Sequence, residues 1–191
     1  MKGRKETTNR IMKPGQDLVA AGAAGLKGTK ALTAGCFAQL SPWFSRSYLE
    51  NILKEPETDL LQYKDLLKDL GAGEMELAGE GGILKAIWDL TGACRVGAEF
   101  SLRRIPIKQE TIEICERLQV NPYRLFSSGC LVFAADNGGR IAEALEERGI
   151  PAAVIGRVIE GIARKIQGEE TGYLERPRED ELVRILGRCP A

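Results

Sequence analysis

Gly81 and Gly82 open the run Gly-Gly-Ile-Leu-Lys-Ala-Ile-Trp-Asp-Leu, a glycine pair directly ahead of an amphipathic helix. A helix start with no side chains over it leaves backbone N–H groups bare. The helix dipole adds partial positive charge there, so such a start can bind a phosphate. Glu80 stands just before the pair and puts an anion where a phosphate would be met by a cation. The residues leave two uses open. The amides of Gly79, Gly81 and Gly82 can bind an anion, or the pair can make a tight turn that only glycine permits.

Two other loops could do similar chemistry. Gly25-Leu26-Lys27-Gly28-Thr29 places a lysine and a hydroxyl among glycines at a helix start. Lys27, Gly28 and Thr29 can hold an anion there, although the spacing is not that of a Walker A loop. The same residues also serve as a capped helix start with Thr29 near the N-cap. Ser127-Ser128-Gly129 offers the hydroxyls of Ser127 and Ser128 to a ligand, or makes a turn into the following strand. Asp136-Asn137-Gly138-Gly139 is explained by turn and cap chemistry.

The chain has no histidine, which removes Ser-His and Cys-His catalysis and His-metal sites. Five cysteines, Cys36, Cys94, Cys115, Cys130 and Cys189, are scattered with no CxxC pair. That pattern predicts reduced thiols in a cytoplasmic protein, with neither a disulfide framework nor a zinc or other metal site. No residue is assigned a catalytic role.

Lys plus Arg and Asp plus Glu are both 27, giving a formal net charge of zero. This balance points to neither nucleic acid nor a membrane surface as partner. The longest apolar or glycine run, Leu18 to Leu26, is far short of the roughly 20 residues of a spanning helix. The start is charged and has no apolar core after it, so no secretory signal is expected.

The elements that must position these loops alternate strand and helix. Residues 1–15 are polar and basic and read as a loosely docked segment; residues 16–191 read as one domain. Strands are predicted over 17–21, 74–78, 96–102, 129–135 and 151–159, with 162–166 as a hairpin partner of the last. The apolar run 129–135 reads as a central strand. Helices are predicted over 29–40, 47–54 (capped by Ser45), 59–70, 81–91, 109–118, 140–148 and 180–186. Such alternation favours a layered α/β or α+β domain with helices on a mixed sheet.

Several of these pieces, in order, resemble the C-terminal domain of the aminoimidazole ribonucleotide (AIR) synthase superfamily. They are Gln16-Asp17-Leu18-Val19 with Gly25-Leu26-Lys27-Gly28-Thr29, Gly81-Gly82-Ile83, and Val96-Gly97-Ala98 to Ile105-Pro106-Ile107 with Glu110-Thr111-Ile112-Glu113-Ile114. Asn121-Pro122-Tyr123-Arg124-Leu125 with Ser127-Ser128-Gly129, and Gly149-Ile150-Pro151-Ala152 with Val154-Ile155-Gly156-Arg157-Val158, complete the series. The likeness is greatest to the hydrogenase maturation factor HypE and to the AIR synthase-related group.

The resemblance implies an α+β fold of the PurM C-terminal type. This is a three-layer α/β/α sandwich on a mixed sheet, partly ferredoxin-like. Members are two-domain, ATP-dependent enzymes that usually dimerise through an N-terminal domain carrying the magnesium-binding acids. In the family the residues before the glycine pair supply an acid, a hydroxyl and often a cation; here Leu77, Gly79 and Glu80 stand in those places. HypE acts through a C-terminal cysteine. Cys189, beside Arg188, lies near that end but is followed by Pro190 and Ala191, so the motif is not reproduced.

Three functions follow as expectations. The first is a stand-alone domain that binds a nucleotide or phosphorylated small molecule. It would obtain ATP, magnesium and any chemistry through a separate N-terminal-like domain, of which the 15 preceding residues leave no room. The second is a non-catalytic assembly or regulatory module that covers its apolar surface as a homodimer. A complete small enzyme ranks third.

Overall fold

The computed structural model describes residues 12–187, so residues 1–11 and Cys189 lie outside it. Seven strands form one sheet in the order β2-β4-β1-β5-β3-β6-β7. They are β1 (Asp17–Ala21), β2 (Ala72–Leu77), β3 (Gly97–Phe100), β4 (Leu131–Ala135), β5 (Ala152–Ile159), β6 (Arg164–Ile166) and β7 (Gly172–Tyr173). All neighbouring pairs are antiparallel except β3 and β6.

The helices are α1 (Leu26–Gly35), α2 (Phe37–Leu40), α3 (Arg46–Lys54), α4 (Lys64–Asp69), α5 (Gly82–Ala93), α6 (Gln109–Leu118), α7 (Gly138–Glu146) and α8 (Glu181–Leu186). This is the expected α+β arrangement of helices on a mixed sheet. On one face α5 packs Ile83, Leu84, Ile87 and Leu90 against Leu18, Ala20, Phe100, Val132 and Ile155. On the other, Leu67 of α4 and Ile141 and Leu145 of α7 meet Val19, Ala21, Leu131 and Phe133. Strands β1 and β4 are covered on both sides, which is why β1 from Leu18 onward and all of β4 are continuously apolar rather than alternating. Burying each large aliphatic side chain of α5 is worth about 1.5–3 kcal/mol.

A third cluster joins five helices to the loop before β4. Leu32 (α1), Leu40 (α2), Leu49 and Ile52 (α3), Ile114 and Leu118 (α6) and Leu182 (α8) pack with Leu125 and Phe126. Gly28 lets α1 lie against that loop, since a Cβ there would stand 2.5 Å from Leu125 Cγ.

Three predicted elements differ from the fold. The helix expected over 29–40 begins at Leu26, behind Gly25 at φ 73°, and is interrupted at Cys36. The stretch expected over 59–70 begins as a 3₁₀ turn, Leu60–Tyr63, before α4. Residues 162–166 do not form a hairpin with β5, because both edges of β5 are already bonded, to β1 and to β3. The chain passes beyond β3 and pairs with its free edge in parallel, as β6. At the start of the described chain, Met12 is buried and Gly15 N–H donates to Val158 C=O, so residues 12–15 pack on the domain.

Candidate functional site

The loop after β1, the glycine pair and the loop before β4 converge behind the N-terminus of α1. Gly25 N–H donates to Ser127 Oγ at 2.9 Å, and the same hydroxyl donates to Leu125 C=O at 2.7 Å. Gly28 N–H donates to Phe126 C=O, and Ser127 N–H to Gly79 C=O. Thr29 Oγ1 donates to Gly25 C=O at 2.8 Å and lies 3.1 Å from Thr111 Oγ1. Ser127 and Thr29 are fully buried. Their hydroxyls tie these loops together inside the domain, as buried polar groups must be tied.

The glycine pair lies in the same knot. Gly82 has φ 70°, and a Cβ on it would stand 2.5 Å from Tyr123 O, so no other residue fits without movement. Gly82 N–H donates to Gly79 C=O at 3.1 Å. Gly81 N–H donates to Asp180 Oδ2 at 2.5 Å, while Asp180 Oδ1 accepts from Leu182 N–H at 2.7 Å and Phe126 N–H at 3.3 Å. Thus an anion does occupy the start of α5, and it is the protein's own carboxylate. Burial pushes the Asp180 carboxyl above its usual value; the three N–H donors pull it down and nearby Glu80 pushes it further up.

Asp180 is recognisable in the sequence as the residue at the start of a short helix, and it caps α8 through Leu182. Nothing local announces its reach to Gly81. Of the positions where the family offers an acid, a hydroxyl and a cation, Leu77 and Glu80 are exposed and Gly79 is half-buried. The turn 136–139 is structural as expected. Asn137 caps α7 by accepting from Arg140 N–H, and Gly138 N–H donates to Asp17.

Lys27 and Ser128 are only half-buried, and Lys27 Nζ lies 5.9 Å from the centre of the Phe126 ring. Lys27 and Ser128 line a cleft of about 160 Å³ with Gly22, Lys108, Cys130 and Pro151, closed on one side by the strap Glu55-Pro56-Glu57-Thr58. Lys30 Nζ bonds Glu55 C=O at 2.9 Å and the Glu57 carboxylate at 2.5 Å, and Lys108 pairs with the Glu55 carboxylate. A second hollow of about 110 Å³, bounded by Tyr48, Asn51 and Glu110, shares Leu26, Glu55 and Lys108 with the first. Lys108 is the cleft residue that sequence reading missed. It follows Ile105-Pro106-Ile107 just ahead of α6, where nothing in the motif marks it as a ligand contact, and only the fold brings it to the same cleft as Lys27.

Burial pushes the Cys130 thiol up to about 12, so while the wall stays closed it is held protonated and reacts slowly. Among the described residues no group of three or more Asp, Glu, Cys or His side chains is placed to hold a metal ion. No described helix is long and apolar enough to cross a membrane.

The family described as AIR synthase related protein, C-terminal domain, matches residues 13–167. No curated protein matches the chain. Among solved structures, E. coli HypE, a hydrogenase maturation protein, superimposes with a TM-score of 0.72 at 23% identity, over 93% of this chain and 54% of that one. A HypE in complex with ATP gives 0.67 at 15% identity, over 92% and 55%. The thiamine-monophosphate kinase of Stenotrophomonas maltophilia K279a gives 0.63 at 20%, over 88% and 55%. The chain therefore spans about half the length of the solved structures it resembles.

Proposed function

Because this chain belongs to the family of AIR synthase related proteins, C-terminal domain, we propose that it binds a nucleotide or another phosphorylated small molecule in the cleft between α1 and residues 55–58. The observation that carries this reading is the convergence of Lys27, Lys108 and Ser128 on one open cleft. Two ammonium groups and a hydroxyl suit phosphate oxygens, and charge-assisted hydrogen bonds are the strong ones. Glu55 and Glu57 hold Lys108 and Lys30 until a ligand takes their place. The solved complex of a HypE with ATP supports nucleotide as the ligand class.

In this reading the amides of Gly79, Gly81 and Gly82, with Gly28, Thr29 and Ser127, shape the cleft from behind, while Lys27, Lys108 and Ser128 touch the ligand. ATP-dependent chemistry and magnesium need an AIR synthase N-terminal-type domain, on this polypeptide or on another. Calorimetry with Mg-ADP and Mg-ATP tests it. Binding is expected for the full chain, weakened about tenfold by Lys27→Ala or Lys108→Ala and strengthened by Glu57→Gln. No heat with either nucleotide overturns it.

One observation favours a second reading, a non-catalytic homo-oligomeric module. Exposed apolar side chains stand at both edges of the sheet: Leu77 (40% exposed) ends β2, and Ile162 (74%) and Tyr173 (63%) flank the β6–β7 edge. Such edges are covered in an assembly.

A further inference from the structure

Asp180 is the side chain through which the C-terminal segment reaches the loops behind the cleft. It is 1% exposed and its two oxygens receive three backbone N–H groups, from Gly81, Phe126 and Leu182. Gly81 belongs to the glycine turn and Phe126 to the loop that continues into Ser127 and Ser128. From Phe126 the chain of bonds runs on into α1. Its C=O accepts from Gly28 N–H, while Ser127 Oγ accepts from Gly25 N–H. Lys27 lies between those two glycines, and Ser128 follows Ser127. Both cleft residues are thus flanked by backbone that these bonds fix, and the bonds meet at the Asp180 carboxylate.

The rest of α8 docks by ordinary packing. Leu182 is buried in the helical cluster, Leu186 lies against Gly35, and Arg184 donates to Gln119 C=O at 2.8 Å. Apolar contacts of this kind would hold the segment without a buried carboxylate. A buried charge is a poor source of stability, since desolvation cancels most of what its bonds return. What it supplies is geometry: it ties three separate backbone segments to one point.

We propose that Asp180 is a positioning residue for the cleft. Docking of residues 180–186 sets the wall that carries Lys27 and Ser128, so occupancy of the cleft and docking of α8 are coupled. This rests on the reading that the cleft takes a phosphorylated ligand. Coupling between two sites is reciprocal, so a ligand must tighten α8 by the factor with which docked α8 tightens the ligand.

The test uses the full chain, its Asp180→Asn variant and its Leu182→Ala variant, with Mg-ADP as the probe. Asp180→Asn keeps one acceptor oxygen and the shape of the side chain but loses the second carboxylate oxygen. The expected result is Mg-ADP binding about tenfold weaker in both variants. In the wild type, saturating Mg-ADP slows amide hydrogen exchange across residues 182–186, and in Asp180→Asn it does not. A residue with only a structural role would lower the melting temperature and leave α8 exchange indifferent to Mg-ADP; that outcome overturns the proposal.

A second measurement needs no nucleotide. Cys130 lines the cleft, and its N–H donates to Ser127 C=O. Loosening the wall should make Cys130 alkylate about tenfold faster in Asp180→Asn, with half-buried Cys94, outside this network, unchanged as the reference. An unchanged Cys130 rate overturns the proposal whether or not nucleotide binds. A wild type that binds no Mg-ADP while Cys130 responds upholds the positioning role and sinks the ligand reading alone. If neither variant folds, the exchange response of the wild type to Mg-ADP decides.

Discussion

At the scale of single residues, the glycine pair separates backbone need from ligand chemistry. Gly82 combines φ 70° with a closest approach of 2.5 Å between its would-be Cβ and Tyr123 O. Gly82→Ala is therefore expected to destabilise the domain by about 2–4 kcal/mol, from left-handed strain plus displacement of the 123–125 backbone. Urea denaturation measures it; a loss under 1 kcal/mol would mean that the loop yields freely. The special backbone of Gly81 and Gly82 was legible because only glycine tolerates it. Its partner was not, since Asp180 lies 99 positions away and its burial depends on how α8 docks. Ser127 and Thr29 carry the same lesson. A hydroxyl in a glycine-rich loop reads alike whether it faces a ligand or a buried carbonyl, and burial alone separates the two.

At the scale of elements, α3 and α6 are joined by a polar contact whose pH dependence has a definite sign. Tyr48 O–H donates to the Glu113 carboxylate, which also accepts from Gln109 Nε2 at 2.7 Å. The Tyr48 bond, with the Gln109 bond behind it, holds the Glu113 carboxyl below its usual range. Burial, then the Glu113 bond, pushes the Tyr48 hydroxyl above its own. A lowered carboxyl contributes stability that is present above the ordinary glutamate value and lost as pH falls through the depressed one. A raised phenol contributes stability that is present below the ordinary tyrosine value and lost as pH rises through the raised one. The stability difference between wild type and Tyr48→Phe should thus be flat between about pH 5 and pH 9 and shrink at both ends. Thermal melts across pH check it, and a difference that grows toward acid contradicts it.

Helix and strand positions were largely legible at this scale because each element carries its own period. The bounds of β1 and α6 agree residue for residue with the pattern of the sequence. Strand β6 was misassigned because a three-residue strand has no period of its own and takes whichever edge is free. Strand β7, two residues long, carries no such signal either.

At the scale of the whole molecule, the sheet ends on one side at β2 and on the other at the β6–β7 pair, with Leu77, Ile162 and Tyr173 exposed there. If the assembly reading holds, light scattering at micromolar concentration gives a dimer, and Ile162→Asp or Tyr173→Asp converts it to a monomer without lowering Mg-ADP affinity. A monodisperse monomer for the wild type rules that reading out. None of Leu77, Ile162 and Tyr173 lines the cleft, which lies between α1 and the 55–58 strap. The two readings therefore predict independent responses, and one variant set can separate them.

The sequence alone determined the fold class, the family likeness and most element positions. These depend on local period, on turn residues and on the order of short motifs, all of which survive in one dimension. Only the tertiary structure decided which loop residues face solvent and which face the core. It withdrew Ser127 and Thr29 into the interior, brought Lys108 to Lys27 and Ser128, and seated Asp180 on the amide of Gly81. Each of those outcomes depends on partners far apart in the chain, and a contact between distant residues leaves no periodic trace in either segment that makes it.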